Sequence, residues 1–80
     1  MARGAEYVLT EDTQVRTHTN NIKILPAGAF VQPIDWYYLP KHFKESVQGI
    51  FMDHKKDIVC YTHFGLQVLS RSVIRRVSHD

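Results

Sequence analysis

Apolar and polar residues alternate along this chain in short runs, and turn-forming residues interrupt them about every ten positions, the spacing of short antiparallel strands. "EYVLT" from Glu6 to Thr10 reads as a first strand with Tyr7 and Leu9 on one face. "QVRTHT" follows the turn "EDT", with Val15 on one side and Arg16 and His18 on the other. Asn20-Asn21 is a turn pair, because Asn tolerates positive φ and bonds its own backbone. "IKIL" sets Ile22 and Ile24 against Lys23. Pro26 cannot donate to a ladder and Gly28 accepts positive φ, so "PAG" predicts a bend. "AFVQPI" resumes the extended chain until Pro33.

Residues 35–46 form the longest irregular stretch. They are predicted as a loop, with at most one helical turn in "PKHFKES", where Pro40 suits the start. "VQGIFMD" reads as the next strand, with Gly49 as a bulge. "HKKD" is a polar turn. "IVCYTHF" is the strongest strand signal and is expected to be central. "LQVL" is another strand, and "SRSVIRRV" predicts a 3₁₀ turn that leads into a last short strand. The expected fold class is therefore all-β: a small antiparallel barrel of five to six short strands, with a long loop and a C-terminal 3₁₀ turn. Turn lengths fit a partly open barrel as well as a closed one. The expected core is Val8, Val15, Ile22, Ile24, Phe30, Ile50, Val59, Tyr61, Leu66, Val68 and Ile74, within about one position of register.

Length adds one constraint. Eighty residues hold a single domain, 1–80, and domains this small usually gain support from disulfides, metals or partners. The single cysteine, Cys60, excludes an internal disulfide, so a partner is the expected support. The formal charge of +2 permits contact with nucleic acid without arguing for it. "MARGAEYVLTEDTQ" has no apolar stretch of signal-peptide length, and no run approaches the roughly 20 residues that span a bilayer. The expected location is cytoplasmic or within a virion.

"RTHTNNIKILPAGAFVQPI" resembles the middle of a bacterial SH3-like domain, where an Arg-bearing strand leads to an "LPxGxxV" turn. "GLQVLSRSVIRRV" is similar in layout to the SH3 closing segment, a 3₁₀ turn before the last strand. Together they cover about half of the chain. The ALYDY-type segment and the PSNY motif of peptide-binding eukaryotic SH3 domains are absent. The resemblance therefore implies the fold and not the recognition of proline-rich peptides.

Chemistry is sparse. Cys60 and His63 stand in C-x-x-H on a strand, where residues three apart face opposite sides, so no metal site is expected. No cofactor is expected either. Asp53, His54 and Asp57 share one turn near Cys60, but a nucleophile needs a base in bonding reach and a group that orients it. No catalytic residues are assigned, and the expectation is a protein that is not an enzyme.

The segment from Asp35 to Phe43 carries four aromatics in nine positions. Interface centres are rich in such residues. Trp36, Tyr37, Tyr38, His42 and Phe43 are the partner-binding candidates, with the alternative that Trp36 and Phe43 fold back and cap the barrel. The expected function is a structural or adaptor subunit of a larger assembly, by analogy a phage or viral particle, that contacts other protein subunits through this aromatic loop. The alternative is binding of RNA or DNA, with bases stacked on the aromatics and phosphates met by Lys41, Lys44, Arg71, Arg75 and Arg76. Five acids, Glu6, Glu11, Asp12, Asp53 and Asp57, dilute that basic field.

Overall fold

A computed structural model of the chain describes residues 6–48 and 52–77. The strands are β1 (Glu6–Leu9), β2 (Thr13–Arg16), β3 (Ile22–Leu25), β4 (Phe30–Pro33), β5 (Asp57–Thr62), β6 (Gly65–Ser70) and β7 (Ile74–Val77). One helix, α1 (Lys41–Gln48), and two 3₁₀ turns, Trp36–Tyr38 and Arg71–Val73, complete the described elements. The all-β class and the late 3₁₀ turn follow the pattern of the sequence.

Five strands form one antiparallel sheet in the order β6-β5-β4-β1-β7, and β2 pairs with β3 as a separate hairpin. Among the described residues no ladder joins β6 to β7, so the sheet is open and not a closed barrel. As the sequence suggests, β5 is an interior strand, flanked by β4 and β6.

The turns work by the chemistry their residues carry. Asn20 sits at φ 68°, and its side-chain oxygen accepts from Arg16 Nη1 at 2.8 Å, which closes the β2–β3 hairpin. Pro26-Ala27-Gly28 is a tight bend: Ala29 N–H donates to the Pro26 carbonyl at 3.1 Å, and Gly28 lies at φ 89°. The Gly28 N–H then donates to the Leu9 carbonyl at 2.7 Å, which fastens the bend to β1. Pro and Gly therefore interrupt the strand so that the chain can leave the hairpin and re-enter the sheet beside β1.

The main core is Leu9, Val15, Leu25, Val31, Cys60 and Leu69. Of the expected core, Val8, Val15 and Val59 are buried, while Leu66, Val68 and Ile74 are half-buried. Ile50 lies outside the described residues. Ile22, Ile24, Phe30 and Tyr61 are a correction: all are more than half exposed. Ile24, Phe30 and Tyr61 each stand one position from a buried apolar residue, and a slip of one residue turns a strand's whole apolar set outward. In β3 the buried residue is Leu25, so alternation carries Ile22 and Ile24 to the outer face. The same parity choice buries Val31 rather than Phe30; Tyr61 shares its face of β5 with buried Val59 but lies beyond the cover and stays exposed.

The irregular stretch is a second correction. It holds a 3₁₀ turn and the first six residues of an eight-residue helix, not a long loop. Phe43 and Val47 are four apart, so a helix puts both on one face, and Val47 is buried. That burial carries Val47 and Gln48 into α1 and out of the strand expected over "VQGIFMD". Residues 49–51 of that expected strand lie outside the described residues, and Met52 and Asp53 are not in a strand. Val59 is buried on the face of β5 opposite Cys60, so both faces of this strand are covered. A cleft of about 530 Å³ runs between Phe43 and Val47 of α1 and Leu66 and Val68 of β6, which puts the helix beside the sheet.

Candidate functional site

Asp35 creates the aromatic corner. Its extended backbone and acceptor side chain cap the first 3₁₀ turn, taking the Tyr37 N–H at 2.9 Å. Its carbonyl accepts from Tyr38 N at 2.9 Å, and Leu39 N–H closes onto the Trp36 carbonyl at 3.2 Å. Leu39, only 6% exposed, anchors the turn from below. Three adjacent side chains on so tight a turn cannot share a direction. Trp36 is half-buried, whereas Tyr37 and Tyr38 are 79% and 77% exposed. The two tyrosine rings meet edge to face, with centroids 5.5 Å apart at 82°.

Two cations border the corner. Lys44 Nζ donates to the Tyr37 carbonyl at 3.3 Å and lies 5.9 Å from the Tyr37 ring centre. Arg71 donates from Nε and Nη2 to the His54 carbonyl at 3.3 and 3.1 Å. The His54 ring in turn meets Trp36 edge-on, 4.6 Å between centroids. Trp36, Met52, His54 and Arg71 then wall a cleft of about 330 Å³ between the 3₁₀ turns.

The partner-binding candidates separate into two groups. Trp36, Tyr37 and Tyr38 stand together on the turn. His42 is exposed on α1, while half-buried Phe43 faces the other cleft, beside β6. The capping reading therefore describes Trp36 and Phe43 in part, and leaves the two tyrosines outside. The nucleic-acid candidates are dispersed, except that Arg71 and Arg76 line one cleft beside β7. Lys41 is exposed at the start of α1, Lys44 is engaged with Tyr37, and Arg71 lies at the His54 cleft. Arg75 and Arg76 are consecutive on β7 and so point to opposite faces.

His54 and Met52 are part of the site that the sequence did not assign to it. The polar turn "HKKD" held the only hint, and nothing in linear spacing links it to Trp36, 18 positions earlier.

Cys60 is fully buried, and burial pushes its thiol from 9.0 up to about 11, with the nearby Arg71 charge opposing only part of that rise. It is a neutral thiol at physiological pH, which is a poor nucleophile. His54 packs on Trp36, and His63 is exposed in the β5–β6 turn with its ring 5.0 Å from Phe64. Among the described residues no group of three or more His, Cys, Asp or Glu is placed to hold a metal ion. Among the same residues no helix is long and apolar enough to cross a membrane.

Fold and site together define an all-β domain that presents a capped aromatic turn beside a cleft. Compared with protein-family models, with curated proteins and with solved structures, the chain matches none.

Proposed function

We propose that this chain is a protein-binding module of SH3-like design, acting as an adaptor or structural subunit that docks through Tyr37 and Tyr38. The observation that carries this reading is the exposure of both rings on a turn fixed by the Asp35 cap. Exposed aromatics cost little in a free protein when they stand alone, but two in contact on a rigid turn form the kind of anchor that fills a pocket on a partner. Preorganisation lowers the entropy lost on docking, and the cap and the Lys44 contact both hold Tyr37 before any partner arrives.

The SH3-like reading rests on strand order. A hairpin interrupts the path from β1 to β4, a long excursion separates β4 from β5, and a 3₁₀ turn joins β6 to β7 beside β1. Of this layout, the two resembling segments imply the turn that leads from the hairpin into β4 and the 3₁₀ turn before the last strand. The test is affinity capture of the native protein followed by mass spectrometry of what is bound. A protein retained by the native chain and lost by the Tyr37→Ser/Tyr38→Ser variant supports the reading. Retention of every captured protein by that variant overturns it.

A second reading, binding of single-stranded nucleic acid, draws on the same two rings with the Lys44 ammonium beside one of them. It predicts oligonucleotide binding that weakens steeply with salt. No binding at low salt eliminates it.

A further inference from the structure

A second cleft adjoins the one at Trp36. It has a volume of about 280 Å³ and is lined by Tyr7, Pro33, Ile58, Arg71, Ile74 and Arg76. Ile58 and Arg71 belong to both clefts, so the two form one track from Trp36 to β7. The ends of the track differ in charge. Two guanidinium-bearing residues and no carboxylate line the β7 end. At the Trp36 end, Asp35 and Asp57 stand beside apolar Met52 and Val59.

The cations at the β7 end have capacity to spare. Arg71 uses Nε and Nη2 on the His54 carbonyl, which leaves its other terminal nitrogen available. The Arg76 side chain makes no hydrogen bond or ion pair among the described residues. Its cross-strand neighbour is Tyr7. Pro33, Ile58 and Ile74 supply the apolar part of the lining.

We infer that this track binds an extended segment of a partner protein, with an acidic side chain between Arg71 and Arg76 and an apolar side chain beside Trp36 and Met52. Charge complementarity selects the occupant. A carboxylate accepts from the two arginines that line this cleft and lies against apolar walls that strengthen the attraction. A polyphosphate backbone fits worse, because it would continue past Asp35 and Asp57, and the chain carries a net charge of only +2. Each cleft is at the small end of ligand pockets, which start at about 300 Å³, so each suits one side chain rather than a whole metabolite. Neither Tyr37 nor Tyr38 lines either cleft, so the assignment does not rest on their rings.

Fluorescence anisotropy on the intact protein at low salt tests the assignment. The probe is a short fluorescein-labelled peptide of glutamate and leucine with serine spacers, against the same peptide with glutamine for glutamate and against a labelled thymidine oligonucleotide. The glutamate peptide is expected to bind saturably. Arg76→Gln is expected to weaken it about tenfold, while Arg75→Gln, on the opposite face, and Tyr37→Ser/Tyr38→Ser leave it unchanged. Arg71→Lys, which keeps the charge but loses the planar fork, is expected to weaken it less than Arg76→Gln. Circular dichroism melts of Arg76→Gln identical to those of the native chain show that the loss is local. Absence of saturable binding, equal binding of the glutamine peptide, or equal losses in Arg75→Gln and Arg76→Gln would each overturn the inference. So would a loss in the double tyrosine variant, or tighter Arg76-dependent binding of the oligonucleotide.

Discussion

The His54 ring meets the Trp36 ring edge-on, with centroids 4.6 Å apart at 90°. Eighteen positions separate the two residues in the chain, and the contact ties the first 3₁₀ turn to the turn that enters β5. Arg71 completes the tie by holding the His54 carbonyl from the second 3₁₀ turn. Three connections between elements are therefore fixed to one another at a single corner.

His54→Ala should loosen that corner without unfolding the domain, because His54 is exposed and outside the core. Trp36 is the single tryptophan, so its fluorescence reports the contact directly. Emission is expected to shift to the red and to become more accessible to acrylamide. An unchanged spectrum would mean that the ring contact does not persist in solution.

Asp35→Ala removes the acceptor for the Tyr37 N–H. Loss of such a cap typically costs about 1 kcal/mol. Urea titration should show a loss of that order, and Asp35→Asn should recover most of it, because an amide oxygen accepts the same bond. Equal losses in the two variants would indicate that the carboxylate charge, not the capping bond, is what matters.

The strand register makes opposite predictions for neighbouring residues. Leu25 is 1% exposed and Ile24 is 55% exposed. Leu25→Ala should cost about 2–5 kcal/mol and Ile24→Ala less than about 1 kcal/mol. Chemical denaturation of the two variants settles the parity of β3. Similar losses would reject the register in which Gln14 pairs with Ile24 and Val15 with Lys23.

Cys60 gives the domain an alkaline limit. Its folded pKa is raised to about 11 from 9.0, so the native state keeps a proton that the unfolded chain releases. Stability from this source is intact below pH 9.0 and declines as pH rises toward about 11. The total loss is on the order of 3 kcal/mol. The difference in stability between the native chain and Cys60→Ala should therefore narrow across that window. A constant difference would show that the thiol does not titrate with unfolding.

The turn chemistry was legible in the sequence because it is local. Asn20 and Gly28 adopt the positive φ that their side chains, or the lack of one, allow, and no other part of the chain is needed to know it. The all-β class was legible for the same reason, since short alternating runs between turn residues leave few other choices. The aromatic corner was legible as a group of residues, because Trp36, Tyr37 and Tyr38 are adjacent. The helix over Lys41–Gln48 was less so. Its apolar signal is the pair Phe43 and Val47, and Val47 reads equally well as the start of a strand.

What the chain determined alone was where it turns, that it extends between turns, and which aromatics stand together. Only the tertiary structure decided which side of β3 and β4 faces inward, because the apolar residues Ile24 and Leu25, and Phe30 and Val31, sit at adjacent positions of opposite parity. Packing chose between them in these two strands, whereas β1 and β5 bury adjacent residues on both faces, Val8 with Leu9 and Val59 with Cys60. The meeting of Trp36 with His54 was likewise decided by the fold, because the tertiary structure brings together residues whose separation of 18 positions along the chain carries no information about their distance in space.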